Sequence, residues 1–276
     1  MSVLTLASSV HQNDGTAMPL LGFGTYQIPD GGACYRAVRH ALDVGYRHID
    51  TAAFYGNEED VGRAVRDSGI ARADLYVTTK LWNSDQGYDS ALRAFDRSLT
   101  RLGLDYVDLY LVHWPEPGKR ADSWRALEQI RKRGHCRSIG VSNYTVRHLE
   151  ELLRAAEVIP VNNQVEFSPF LHQRKLLEFC AAKGISLTAY CPLTHGDKLE
   201  HRTITEIGAE HGKTGAQVLL RWALQHNVVA IPKSARKERI EENASLYDFE
   251  LDATEMARLD ALDEDYRTTW DPTRVR

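Results

Sequence analysis

Residues 106–141 read YVDLYLVHWPEPGKRADSWRALEQIRKRGHCRSIGV. A β-branched and aromatic run, Tyr106–Val112, passes through Trp114-Pro115 into an amphipathic stretch over 121–133 that stops at Gly134. A second short apolar run, Arg137–Val141, follows. Strand, long connection with helical periodicity, and strand again is the pattern of parallel-sheet α/β proteins. The glycine supplies the left-handed residue on which such helices end.

The same unit recurs in both directions. Strand candidates are Leu20–Gly24, Tyr46–Ile49, Leu75–Thr79, Tyr106–Val112, Arg137–Val141, Val161–Val165, Ser186–Ala189 and Val228–Ile231, which makes eight. Helix candidates lie at 32–44, 58–68, 88–102, 121–133, 146–155, 173–182 and 214–226, many closed by Gly45, Gly69, Gly103, Gly134 or Gly184. Extra helices are expected over His201–His211 and, capped by Asp252, over Ala253–Leu262. Val3–Leu6 and Thr16–Met18, flanking Asn13-Asp14-Gly15, read as a β-hairpin able to close the bottom of a barrel. Eight βα units with such a plug predict an α/β (β/α)8 TIM barrel. The 276 residues suit one barrel of roughly 250 residues, and no linker or composition shift divides them. The expectation is one domain over 1–276, ending in a short polar tail, 263–276.

Composition narrows the function. With 43% apolar and 26% charged residues the chain is an ordinary globular protein. Its 34 basic and 38 acidic residues give a net charge of −4, so no global positive field draws nucleic acid or an anionic membrane. Cys34, Cys136, Cys180 and Cys191 form no Cys-x-x-Cys pair, which favours a reducing cytoplasm. No basic leader opens the chain, and no stretch reaches the roughly 18 apolar residues of a membrane span.

Unusual polar residues gather at the downstream strand ends: Asp50, Lys80, His113, Ser142-Asn143, Gln164, Tyr190 and Lys233-Ser234. In a barrel these ends converge on one face, where active sites lie. Asp50, Tyr55, Lys80 and His113 suit protonation of a carbonyl oxygen as hydride reaches its carbon. A phenol of pKa about 10 is a poor acid unless a cation eases its ionisation; Lys80 can do so, and Asp50 can hold the ammonium. His113 can donate to the substrate carbonyl. Singly, each has a plainer reading as ion pair, loop aromatic or core histidine; at successive strand ends they read together as one site.

The run from Gly45 through Arg47, His48, Asp50, Thr51, Ala52, Tyr55, Asn57, Glu58 and Gly62 resembles an aldo-keto reductase signature. Ile139-Gly140-Val141-Ser142-Asn143-Tyr144, and Ile231-Pro232-Lys233-Ser234 with Arg239 and Asn243, resemble the family's second and third signatures. The likeness is to the small bacterial type, such as 2,5-diketo-D-gluconate reductases. It implies a monomeric NADPH/NADP+-dependent oxidoreductase that reduces aldehydes and ketones, dicarbonyls and keto-sugars among them, with Tyr55 as general acid and Asp50, Lys80 and His113 as its partners. A cofactor-binding sensor without turnover is the alternative on the same fold.

Ser142, Asn143 and Gln164 suit hydrogen bonds to a nicotinamide carboxamide, and Tyr190 offers a ring for stacking. Lys233, Ser234 and Arg239 suit the 2′-phosphate of NADPH, because charge-assisted hydrogen bonds are the strong ones. Glu242 and Asn243 fit the family's adenine contacts, and Cys191 and Leu193 are placed beside the cofactor after the stacking tyrosine. Gly22-Phe23-Gly24 begins a Gly-x-Gly motif, but Gln27 stands where a third glycine belongs. Gly24 and Thr25 are read instead as letting backbone approach the cofactor. Trp82 and Trp114 are candidate pocket walls; Tyr26 and Phe54 stand evenly between pocket and core. His40, His48 and His113 make no recognisable metal set with Asp50, so no metal is expected. The loop 194–198 is short, which suggests an incomplete clasp over the pyrophosphate.

Overall fold

Over residues 4–275, which this computed structural model describes, the chain opens with an antiparallel hairpin of β1 (Ser9–His11) and β2 (Ala17–Pro19), with Ser9 opposite Pro19. The expected first arm, Val3–Leu6, is displaced: residues 4–6 form no strand, and Val3 lies outside the described residues. The turn is the reason. Gln12 N–H donates to Thr16 O at 2.9 Å and Gly15 N–H to Gln12 O at 3.1 Å, so the ladder begins beside Asn13-Asp14-Gly15. The hairpin plugs the upstream barrel end. Tyr76 OH donates to Gln12 Oε1 at 3.1 Å, and Ser138 Oγ to Asp14 Oδ2 at 2.8 Å.

Eight parallel strands follow: β3 (Gly22–Gly24), β4 (His48–Asp50), β5 (Tyr76–Leu81), β6 (Val107–Val112), β7 (Cys136–Ser142), β8 (Asn162–Glu166), β9 (Ser186–Tyr190) and β10 (Val229–Ala230). Each pairs with its chain neighbour. The seam between first and last is thin: a bridge from Leu21 to Ala230, with Ala230 N–H donating to Leu20 O at 2.9 Å and Gly24 N–H to Pro232 O at 3.1 Å. Glycine is required here on steric grounds. A Cβ on Gly24 would lie 2.7 Å from Ile231 O, and one on Gly22 2.5 Å from His48 Nδ1.

The helices are α1 (Ala33–Val44), α2 (Glu58–Arg66), α3 (Tyr88–Leu102), α4 (Arg120–Lys132), α5 (Val146–Leu153), α6 (Arg174–Ala182), α7 (Arg202–His211), α8 (Gly215–Gln225), α9 (Lys237–Ala244) and α10 (Ala253–Asp260); most bury one face, α8 is buried all round from Ala216 to Leu224, and α10 packs on α7. In α3, Phe95 packs edge-on to Tyr110 of β6 with ring centres 4.7 Å apart, and burying a side chain of that size contributes about 2–3 kcal/mol. Gly103 ends α3 in the left-handed conformation, φ 59°, its N–H donating back to Leu99 and Thr100 carbonyls. The extra helices are α7, preceding α8 between β9 and β10, and α10. Asp252 caps α10, accepting from Thr254 N–H at 2.7 Å and Glu255 N–H at 2.8 Å.

Candidate active site

The downstream strand ends open into a cavity of about 780 Å³. Beneath it, fully buried Lys80 on β5 donates from Nζ to Asp50 Oδ1 at 2.5 Å, Thr51 O at 2.9 Å and the Tyr55 hydroxyl at 3.2 Å. All three ammonium protons are thereby directed. The second Asp50 oxygen accepts from Gln164 Nε2 at 2.7 Å. Burial lowers the Lys80 pKa, and Asp50 opposes that shift.

Tyr55 sits on the turn after β4, its ring partly exposed to the cavity. Burial of its hydroxyl, then the Asp50 charge, pushes the phenol well above its ordinary pKa. The resting phenol is therefore protonated, with the Lys80 ammonium 3.2 Å from its oxygen. The His113 ring lies 5.8 Å from that of Tyr55, nearly perpendicular at 74°. Burial, reinforced by Lys80, holds His113 well below its ordinary pKa, so the imidazole is neutral. Its Nδ1 is buried without a hydrogen-bond partner among the described residues.

On one flank Ser142 Oγ donates to Gln164 O at 2.8 Å, Asn143 Nδ2 donates to His113 O at 3.0 Å, and Tyr190 OH donates to Asn143 Oδ1 at 2.8 Å. The groups expected to meet a carboxamide satisfy one another, and a ligand there must exchange these bonds. On the other flank Lys233 and Arg239 are exposed, with no acidic partner within 4 Å among the described residues. Buried Ser234 accepts from Arg236 N–H at 3.0 Å, at the entry to α9. Glu242, Asn243, Cys191 and Leu193 also line the cavity.

The Thr25 side chain turns away from the cavity: its fully buried hydroxyl donates to Asp50 O at 2.9 Å, tying the end of β3 to β4, so only its backbone is left for the approach expected beside Gly24. Gly24 does line it, but its missing side chain is demanded by Ile231 O across the seam.

Tyr26, Phe54, Trp82 and Trp114 all face the cavity. Phe54 stacks on Trp82 with centres 3.8 Å apart, and Tyr26 lies 5.0 Å from Tyr55. The C-terminal segment completes the wall: Trp270 approaches Trp114 at 5.4 Å and Trp82 at 6.3 Å. Sequence reasoning missed its anchor. Glu166, 4% exposed at the end of β8, accepts from Thr268 N–H and Oγ1 at 2.6 and 2.5 Å, and from Thr269 N–H and Oγ1 at 3.3 and 2.8 Å. Thr269 Oγ1 also meets Tyr190 OH at 3.0 Å. An acid at a strand end was the available signal; its partners lie a hundred residues downstream. His195, Glu200 and Thr214–Ala216, also cavity residues, were missed too.

A phenol beside a buried ammonium, a neutral imidazole and a cationic rim thus share one face of a parallel β/α barrel. The chain belongs to the Aldo/keto reductase family, whose description matches residues 20–264. It is an oxidoreductase, as the motifs implied. It is 49% identical to a glyoxal reductase of Bacillus subtilis over 271 residues, 98% of each chain. An aldo-keto reductase from a Medee basin deep-sea metagenome library superimposes with TM-score 0.94 at 42% identity, covering 97% of this chain and 100% of that one. A Bombyx mori aldo-keto reductase solved in complex with NADP matches with TM-score 0.89 at 34% identity, covering 96% and 95%. Among the described residues no helix is long and apolar enough to cross a membrane.

Proposed function

We propose that the chain is an NADPH-dependent reductase of small aldehydes and ketones, with dicarbonyls and keto-sugars as substrate class and Tyr55 as proton donor. One observation carries this: Lys80 Nζ within 3.2 Å of the Tyr55 hydroxyl, with His113 across the same point of the cavity. The likeness to a glyoxal reductase supports the dicarbonyl class.

The residues present fit the dinucleotide. Tyr190 presents a ring at the cavity floor, and Lys233 and Arg239 offer unneutralised charge for a phosphate monoester. When bound, the dinucleotide supplies hydride. Tyr55 gives its proton to the substrate oxygen, and Lys80, held by Asp50 and Thr51 O, stabilises the phenolate left behind. Neutral His113 donates to the same oxygen and sets its angle. The aromatic wall and Trp270 exclude water.

The test is Tyr55→Phe. NADPH consumption with methylglyoxal falls by about 10²–10⁴-fold, the usual worth of a general acid, while NADPH affinity, read by tryptophan fluorescence, stays near that of the parent. An undiminished rate refutes the assignment of Tyr55; silence of the parent enzyme toward all carbonyls favours the sensor.

A further inference from the structure

Away from the cavity, three side chains from separate elements converge. His172 lies in the loop between β8 and α6, His226 at the end of α8, and Asp260 at the end of α10. One candidate ligand atom from each lies within 4.8 Å of the others. His226 Nε2 is 2.8 Å and His172 Nδ1 3.7 Å from Asp260 Oδ1.

His172 is the telling member. It is 2% exposed, and neither ring nitrogen has a hydrogen-bond partner among the described residues. A neutral imidazole carries one N–H and one lone pair, and burying both unsatisfied is unfavourable. The ring is nevertheless held firmly, edge-on to Phe167 at 5.7 Å and Trp222 at 5.1 Å, beside the His226 ring at 4.9 Å. Trp222 Nε1 donates to Asp260 Oδ1 at 2.8 Å, the kind of outer contact that orients a ligating carboxylate. His226 and Asp260 are 20% and 23% exposed, so an ion has a way in.

We infer that His172, His226 and Asp260 form a site for a divalent cation of zinc type, with water completing the coordination. Two imidazoles and a carboxylate suit Zn²⁺. Bonds of about 2.0–2.1 Å place tetrahedral ligands roughly 3.3–3.4 Å apart, so the 3.7 Å separation closes slightly and the 2.8 Å one opens. Two other charges face the site. Arg174 lies 3.8 Å from Asp260 Oδ2 and is 60% exposed, free to swing away; Asp263 accepts the His172 backbone N–H at 3.3 Å. The ion ties the β8–α6 loop to the root of the C-terminal segment, where Glu264 and Tyr266 N–H groups already donate to Phe170 O. This site is independent of the carbonyl chemistry.

The experiment titrates chelator-stripped full chain with ZnCl2, by calorimetry and thermal melting, and with Co²⁺ by visible absorption. One equivalent of Zn²⁺ binds and raises Tm, and Co²⁺ gives the strong visible bands of a four-coordinate complex. His172→Phe and His226→Gln each abolish binding. Arg174→Ala, which removes a competing charge, tightens it at least ~3-fold. No saturable binding overturns the inference, as does binding undiminished in both histidine variants. Should His172→Phe fail to fold, His226→Gln and Arg174→Ala, at exposed or partly exposed positions, decide; an Arg174→Ala affinity equal to or below the parent's overturns it.

Discussion

Lys80→Met separates the proposed catalytic role of the buried pair from its structural one. Lys80 Nζ stands 3.2 Å from the Tyr55 hydroxyl. At an effective dielectric of about 20, unit charges at that separation attract by about 5 kcal/mol. With phenolate charge half developed in the transition state, the loss is about 2.5 kcal/mol, roughly 70-fold in kcat. The substitution also strands the Asp50 carboxylate, 1% exposed, and removing one partner of a buried pair costs about 3–5 kcal/mol of stability. Two measurements then disentangle the effects. Thermal melting of Lys80→Met shows a lowered Tm, and the double variant Lys80→Met/Asp50→Asn regains most of it. Turnover with NADPH and methylglyoxal, followed by absorbance, stays low in both variants. A double variant that recovers activity along with stability, or a single variant within threefold of the parent, refutes the reasoning.

Arg239→Ala and Lys233→Met weaken NADPH binding by about tenfold each and leave NADH nearly unchanged; equal losses for the two dinucleotides, by fluorescence titration, count against a 2′-phosphate contact. Glu166→Gln loosens the segment that carries Trp270 by about 2 kcal/mol, since it removes charge-assisted bonds from Thr268 and Thr269. The carbonyl KM rises severalfold with kcat nearly kept, and an unchanged KM denies that segment its part in the pocket. His48, fully buried against Thr78, has its pKa lowered by burial to about 4. Because the unfolded chain takes up that proton near pH 6.5 and the folded one does not, stability is whole above pH 6.5. It falls by about 3 kcal/mol as pH approaches 4. His113 acts in the same direction, and a Tm flat between pH 7 and 4.5 contradicts this.

The eight strands were legible because a parallel barrel strand, buried on both faces, leaves a short apolar run between glycine-stopped helices, as at Tyr106–Val112 against observed Val107–Val112. The face carrying the candidate site was legible because its polar residues lie at or near the downstream ends of separate strands. What stayed hidden depends on distant partners. The hairpin arm was misplaced since Leu4–Leu6 are as apolar as a strand, and only turn geometry excludes them. The position of Thr25 gave no sign that its hydroxyl turns inward to Asp50 O. Glu166 with Thr268 and Thr269, and His172 with His226 and Asp260, join residues whose spacing carries no periodic signal.

The thin seam of the barrel has a mechanical consequence. Gly24 on one side and Ile231 and Pro232 on the other border the same cavity. Any molecule lodged there rivets the opening strand to the closing one, where the cylinder has the fewest bonds of its own. Occupancy therefore strengthens the wall at its weakest join, and resistance to unzipping becomes a gauge of how full the chamber is.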